Sequence, residues 1–161
     1  MSNPEPISIL LVDDDVNIRE TMKAILEQEG YNVRTAGSGA EAIKISNDEL
    51  FDAAVVDMRL PDVMGTDLLG KLRKRTPKTR KIILTGYPSM NNAIDSVNEG
   101  ADAYILKPVQ ADVVLKTIAE QLKKREEERK YSDQKGAEFI ETRAKEIDRL
   151  DPVRAPPTKK P

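Results

Sequence analysis

Three consecutive carboxylates, Asp13-Asp14-Asp15, close the apolar run Ile9–Val12, and a fourth, Asp57, closes the run Ala53–Val56. Thr85 follows Lys81–Leu84 in the same way, and Lys107 follows Ala103–Leu106. Acid, acid, hydroxyl and amine thus stand at the ends of four short hydrophobic segments. Carboxylates gathered within about 4–6 Å repel and raise one another's pKa. A divalent cation relieves that repulsion, and an all-oxygen donor set selects Mg2+ or another hard ion such as Mn2+. A carboxylate beside such an ion can attack a phosphoryl group. The cation, Lys107 and the Thr85 hydroxyl would then take up the charge spread over its oxygens.

Composition removes most other chemistry. The 161 residues include no Cys and no His. Thiol nucleophiles, disulfides, the usual zinc sites, His-ligated haem and Ser-His triads are therefore excluded. With 26 basic and 28 acidic side chains the formal charge is −2, which argues against a bulk basic field for nucleic acid. Hydrophobic residues make up 39%, enough for one core. The first residues carry no basic segment followed by a long apolar one, so no signal peptide is indicated. The apolar run Ile9–Val12 falls far below the roughly 18 residues a spanning helix needs. A soluble, cytoplasmic protein that makes no use of a membrane is the expectation.

The elements that must position these residues follow from hydrophobic periodicity. Strands are expected at Ile7–Val12, Tyr31–Thr35, Ala53–Val56, Lys81–Leu84 and Ala103–Leu106. Continuous apolar runs such as Ile9–Val12 suit strands buried on both faces. Helical spacing links Ile18, Met22, Ile25 and Leu26, with Gly30 as a stop, and marks Leu68, Leu69 and Leu72 before Pro77. It recurs at Ala93, Ile94 and Val97, and again at Val114, Ile118 and Leu122. A weaker helix covers Ala40–Asn47, with Ser38 and Glu41 forming a capping box. Alternating strands and helices imply a parallel sheet covered on both faces: an α/β, doubly wound (βα)5 fold. Ligands of such sheets sit outside the carboxyl ends of the strands, where the winding reverses. The four strand-end groups are expected on that rim.

The stretches LLVDDD ending at Asp15, VVDMRLP at 55–61, ILTGYP at 83–88 and ADAYILKP at 101–108 resemble the receiver domain of two-component response regulators. The resemblance covers about residues 5–125, with four motifs in the right order. It implies a flavodoxin-like sheet of order 2-1-3-4-5 and a phospho-accepting Asp57. It also implies Mg2+ held by Asp13, Asp14, Asp57 and the backbone carbonyl of Arg59, and phosphoryl contacts from Thr85 and Lys107. Tyr104 matches the aromatic switch that moves with Thr85, and Lys107-Pro108 matches the family's cis bond. Arg59 and Tyr87 occupy positions where dephosphorylation rate is tuned. One departure is Asp62-Val63-Met64-Gly65, where the family often shows Gly-x-Asp-Gly. The phosphodonor implied is a sensor histidine kinase or a His phosphotransfer protein. The protein itself would be a phosphoacceptor whose only chemistry is self-phosphorylation and autodephosphorylation, and not an enzyme.

Other readings compete. Asp15 reads better as a helix N-terminal residue than as a metal ligand. The stretch Gly37–Ala42 fits a dinucleotide-binding pattern but follows the second strand, and the capping box explains it better. Leu11–Val16 also resembles the start of haloacid-dehalogenase-type phosphatases, with Asp13 as nucleophile, but that leaves Asp57 without a role. A phosphorelay intermediate passing phosphate to a His phosphotransfer protein is a further alternative.

The receiver is expected over 1–125, and 126–161 reads as a charged helical tail. Net charge is −5 over residues 1–122 and +3 over 123–161. Opposite charges at 123/127, 124/128 and 126/130 suit a solvated extension of the last helix. Asp133–Gly136 is expected to break it. A second amphipathic piece with Phe139, Ile140, Ala144, Ile147 and Leu150 follows, able to pack back, bind a partner or form a homodimer on phosphorylation. Residues 151–161, with four Pro, read as disordered. No DNA-binding output domain is visible, so output through contacts with an unnamed protein target is the expectation.

Overall fold

The computed structural model describes residues 5–75, 78–86 and 100–150. In chain order the elements are β1 (Ser8–Val12), α1 (Val16–Gln28), β2 (Asn32–Ala36), α2 (Gly39–Asp48) and β3 (Ala53–Asp57). They continue with α3 (Gly65–Arg75), β4 (Arg80–Thr85), β5 (Ala103–Leu106) and α4 (Ala111–Leu150). All five strands are parallel, in the order β2-β1-β3-β4-β5. The flavodoxin-like doubly wound sheet expected from the sequence is what forms. The helix expected around Ala93, Ile94 and Val97 lies outside the described residues, as do Pro77, Tyr87 and the 151–161 stretch.

The twofold alternation of strand side chains builds two cores. Ile9 and Leu11 of β1 join Val55, Ile82, Leu84 and Ile105 on one face, under Met22 and Leu26 of α1 and Val114 and Ile118 of α4. Leu10 and Val12 join Val56 and Ile83 on the other, under Ala42 of α2 and Leu68, Leu69 and Leu72 of α3. Strands β1 and β3 are flanked on both sides and covered on both faces, which is why they read as unbroken apolar runs.

Local chemistry sets the helix boundaries. Asp15 caps α1 by accepting from the amides of Asn17 and Ile18. Gly30, at φ 93°, makes the turn after that helix in a conformation other residues rarely adopt. Ser38 Oγ accepts from Glu41 N at 3.2 Å, and Glu41 Oε2 accepts from Gly37 N at 2.9 Å. The Gly37–Ala42 stretch is thus a helix cap.

One cluster escaped the sequence reading. Asp102 accepts from Lys81 N (2.8 Å) and Arg80 Nη1 (3.0 Å), while Arg80 Nε donates to the Gln121 carbonyl (3.2 Å). Gln121 Nε2 returns to the Asp102 carbonyl at 3.3 Å. These bonds fasten α4 at the amino end of the sheet.

The chain divides into two units at Lys123–Lys124. In the second unit the expected break at Asp133–Gly136 does not occur: α4 is continuous to Leu150. A helix-interior Gly costs about 1 kcal/mol and Asp less than that. Local pairs offset this, among them Arg129–Asp133 (3.5 Å), Lys135–Glu138 (3.6 Å) and Lys145–Glu141 (3.2 Å). No described helix is long and apolar enough to cross a membrane.

Candidate functional site

β1 and β3 lie side by side, and the chain leaves them in opposite directions across the sheet, so a crevice opens beyond their carboxyl ends. Asp13 follows β1 and Asp57 is the last residue of β3. Asp13, Asp14 and Asp57 each offer a carboxylate oxygen within 4.8 Å of the others. Lys107 follows β5 through the cis Lys107–Pro108 bond. Its Nζ reaches Asp57 Oδ2 at 3.2 Å and Asp13 Oδ2 at 3.6 Å. Its amide donates to the Thr85 carbonyl at 2.6 Å, which locks β5 to the end of β4. Thr85 is 1% exposed and follows Leu84, the register partner of Asp57. Asp13, Asp14, Asp57, Thr85 and Lys107 are therefore gathered on one rim, while Asp15 serves as a helix cap.

The electrostatics are unbalanced. Asp13 is buried. Burial, together with the Asp57 and Asp14 charges, pushes its carboxyl above the ordinary value, although the Asp15 amide at 2.9 Å and Lys107 act in the other direction. Asp13 Oδ2 is buried and accepts no hydrogen bond among the described residues. Burial works against the Lys107 charge, but Asp13 and Asp57 outweigh it and hold the amine above its ordinary value. Three carboxylates face one ammonium. A hard divalent cation fits this all-oxygen set and would satisfy the Asp13 oxygen that Lys107 approaches only to 3.6 Å.

Two residues that sequence reasoning missed support the rim. Arg19 Nη1 donates to the Asp13 carbonyl at 2.6 Å, so the acidic turn is stapled to the first turns of α1. Gly65 packs so tightly that a Cβ there would collide with the Asp57 carbonyl, and its amide donates to Met58 O at 2.6 Å. Gly65 keeps the terminal glycine of the commoner Gly-x-Asp-Gly pattern but was not singled out; Arg19 left no signal, because a separation of six residues says nothing about a backbone carbonyl. The Arg59 side chain is exposed, and its amide sits 3.4 Å from Asp57 Oδ1. Tyr104 is half-buried against the Leu10 core, its hydroxyl shielded and without a hydrogen bond among the described residues.

The sequence model of the response regulator receiver domain matches residues 9–119. The chain belongs to that family. A receiver domain protein (CheY-like) from Methanospirillum hungatei JF-1 superimposes with a TM-score of 0.75 at 44% identity, covering 77% of this chain and 99% of that one. A response regulator from Burkholderia pseudomallei, solved with a phosphorylated aspartic acid, a calcium ion and citrate, gives 0.68 at 32% identity, covering 76% and 72%. Among curated proteins, the alginate biosynthesis transcriptional regulatory protein AlgB of Pseudomonas syringae pv. tomato is 37% identical over 118 residues, 73% of this receiver chain and 26% of that protein. The probable transcriptional regulatory protein TcrX of Mycobacterium tuberculosis is 34% identical over 111 residues, 69% and 47%. This receiver chain thus spans between a quarter and a half of those regulators.

Proposed function

We propose that this receiver accepts a phosphoryl group on Asp57 from a phosphohistidine of a sensor kinase or a His phosphotransfer protein. The observation that carries the reading is the convergence of Asp13, Asp14 and Asp57 within 4.8 Å, with Lys107 paired to the latter at 3.2 Å. An Asp57 carboxylate oxygen forms the new O–P bond while the donor's N–P bond breaks and its electron pair returns to the imidazole nitrogen. Asp57 suits the nucleophile because its side chain keeps 10% of its surface exposed, against 1% for Asp13. Asp13, Asp14, Asp57 and the Arg59 carbonyl would hold Mg2+, which supplies charge neutralisation at the transferring oxygens. Lys107 and Thr85 bind the remaining phosphoryl oxygens, and Lys107 exchanges its pairing with the Asp57 carboxylate for pairing with the bound group.

The chain acts as a phosphoacceptor, not as an enzyme turning over a separate substrate. Output goes through protein contacts that change with Thr85 and Tyr104, and a cytoplasmic location accords with a kinase as donor. The transcriptional roles in the relatives' names belong to proteins much longer than the matched segment, so a DNA-bound role is not part of the proposal. Arg59 and Tyr87 would tune hydrolysis of the acyl phosphate. Arg59 sits beside Asp57, and Arg59→Asn is expected to shorten the phospho-form's half-life.

Incubation with phosphoramidate and Mg2+, read by intact mass, tests the assignment. The expected result is a gain of one phosphoryl mass that disappears in Asp57→Asn. Labelling that persists in that variant and vanishes in Asp13→Asn would overturn it in favour of a phosphatase-type Asp13 nucleophile.

A further inference from the structure

The loop between β3 and α3 is bonded to the start of α2 through the Asp62 side chain. Asp62 Oδ1 accepts from Gly39 N at 2.8 Å and Oδ2 from Ala40 N at 2.9 Å. A helix leaves its first amides without intrahelical partners. In α2 Asp62 takes two of them and Ser38 Oγ takes that of Glu41. These backbone bonds hold the Asp62 carboxyl below the usual carboxylate range. Packing agrees with the bonding: a Cβ on Gly39 would collide with Val63 Cγ1. The rest of the loop is equally fixed. Leu60 N donates to Val63 O at 3.2 Å, Arg59 and Met64 form a bridge, and Gly65 closes onto Met58.

Arg59 lies in the same loop three residues before Asp62 and two residues after Asp57, the last residue of β3. Mg2+ demands near-ideal octahedral geometry at about 2.0–2.1 Å. A donor on a loop meets that demand only if the loop has one conformation. We propose that Asp62 is a positioning residue for the cation site: by clamping the β3–α3 loop to α2, it holds the Arg59 carbonyl in register with Asp13 and Asp57. Asp62 touches neither the cation nor the phosphoryl group, and it occupies the position where this chain departs from the commoner receiver pattern. The inference rests on the reading of the acidic cluster as a cation site.

The test is calorimetric titration of the full chain with Mg2+ alone, at neutral pH and without phosphodonor. Asp62→Ala is expected to weaken Mg2+ binding about tenfold, in the range seen when outer-shell supports of metal ligands are removed. Asp62→Asn keeps one acceptor oxygen and is expected to fall between the two. Ser38→Ala removes a different cap from the same helix and leaves the loop anchored, so it should bind as the unmodified chain does. Circular dichroism of each variant establishes that it is folded. Unchanged affinity in Asp62→Ala overturns the inference, and so does an equal loss in Asp62→Ala and Ser38→Ala, which would make Asp62 merely a helix stabiliser. If the unmodified chain shows no saturable binding, or Asp13→Asn binds as tightly, the cation-site reading fails and takes the inference with it. Those outcomes are separable because only they change the unmodified and Asp13 curves.

Discussion

Asp13 is held in the folded chain against its own electrostatics. It is fully buried, faces Asp57 and Asp14, and leaves one oxygen without a hydrogen bond among the described residues. Asp13→Asn keeps the shape and removes the charge. In metal-free buffer near pH 7 it should raise the melting temperature by roughly 3–5 °C, equivalent to about 1 kcal/mol at this size. The sign follows from the raised carboxyl: above the ordinary value of 3.8 the unfolded chain releases its proton more readily than the folded one. The Asp13 contribution to stability therefore falls as pH rises above that value, and the advantage of the variant should vanish on acidification. Tyr104 poses a milder version of the problem. Its shielded hydroxyl has no partner among the described residues, so Tyr104→Phe should leave stability unchanged or raise it by about 1 kcal/mol in urea unfolding. At this scale the convergence of the strand-end groups was legible because carboxylate, hydroxyl and amine at strand ends have few other uses in concert. Their supports were not. Asp62, Arg19 and Gly65 act through backbone amides, carbonyls and close approach, which residue type does not announce.

Elements were legible where burial was one-sided or complete. β1 and β3 show as apolar runs because both faces are covered, and α1 shows because Met22 and Leu26 lie on one stripe with a positive-φ glycine behind them. Strand ends were read short by a residue at Asp57 and Thr85, since the site's polar groups are themselves the last residues of their strands. Arg80 was missed at the start of β4 because its pairing with Asp102 is tertiary. The helix break failed for a different reason. Gly136 lies in ordinary helical backbone, not at positive φ, so it lowers propensity without ending the helix. A Cβ there would meet nothing within 4 Å. Gly136→Ala should therefore stabilise this stretch by up to about 1 kcal/mol, seen as a stronger helical circular dichroism signal on heating. A loss of signal would mean that some group occupies the space beside Gly136.

For the molecule as a whole, the apolar side chains that α4 gives to the core are Val114 and Ile118, with Leu115 and Leu122 packed at its margin. All precede the division at Lys123–Lys124. A chain ending at Lys123 should unfold with a stability within about 0.5 kcal/mol of the full chain, losing helical signal but keeping phosphoryl acceptance. A larger drop would show that residues 124–150 contribute to the domain's stability.

The sheet order also sets when the site comes into being. Asp13, Asp57, Thr85 and Lys107 lie in or directly after strands that meet only through parallel pairings between segments distant in the chain. Such pairings form late compared with local helices. On the proposed function, acceptance of a phosphoryl group would be a stopwatch for sheet assembly. If Asp57 accepts phosphate as proposed, the labelled fraction during refolding should lag behind recovery of helical signal, because a chain whose last strand has not docked lacks the assembled rim.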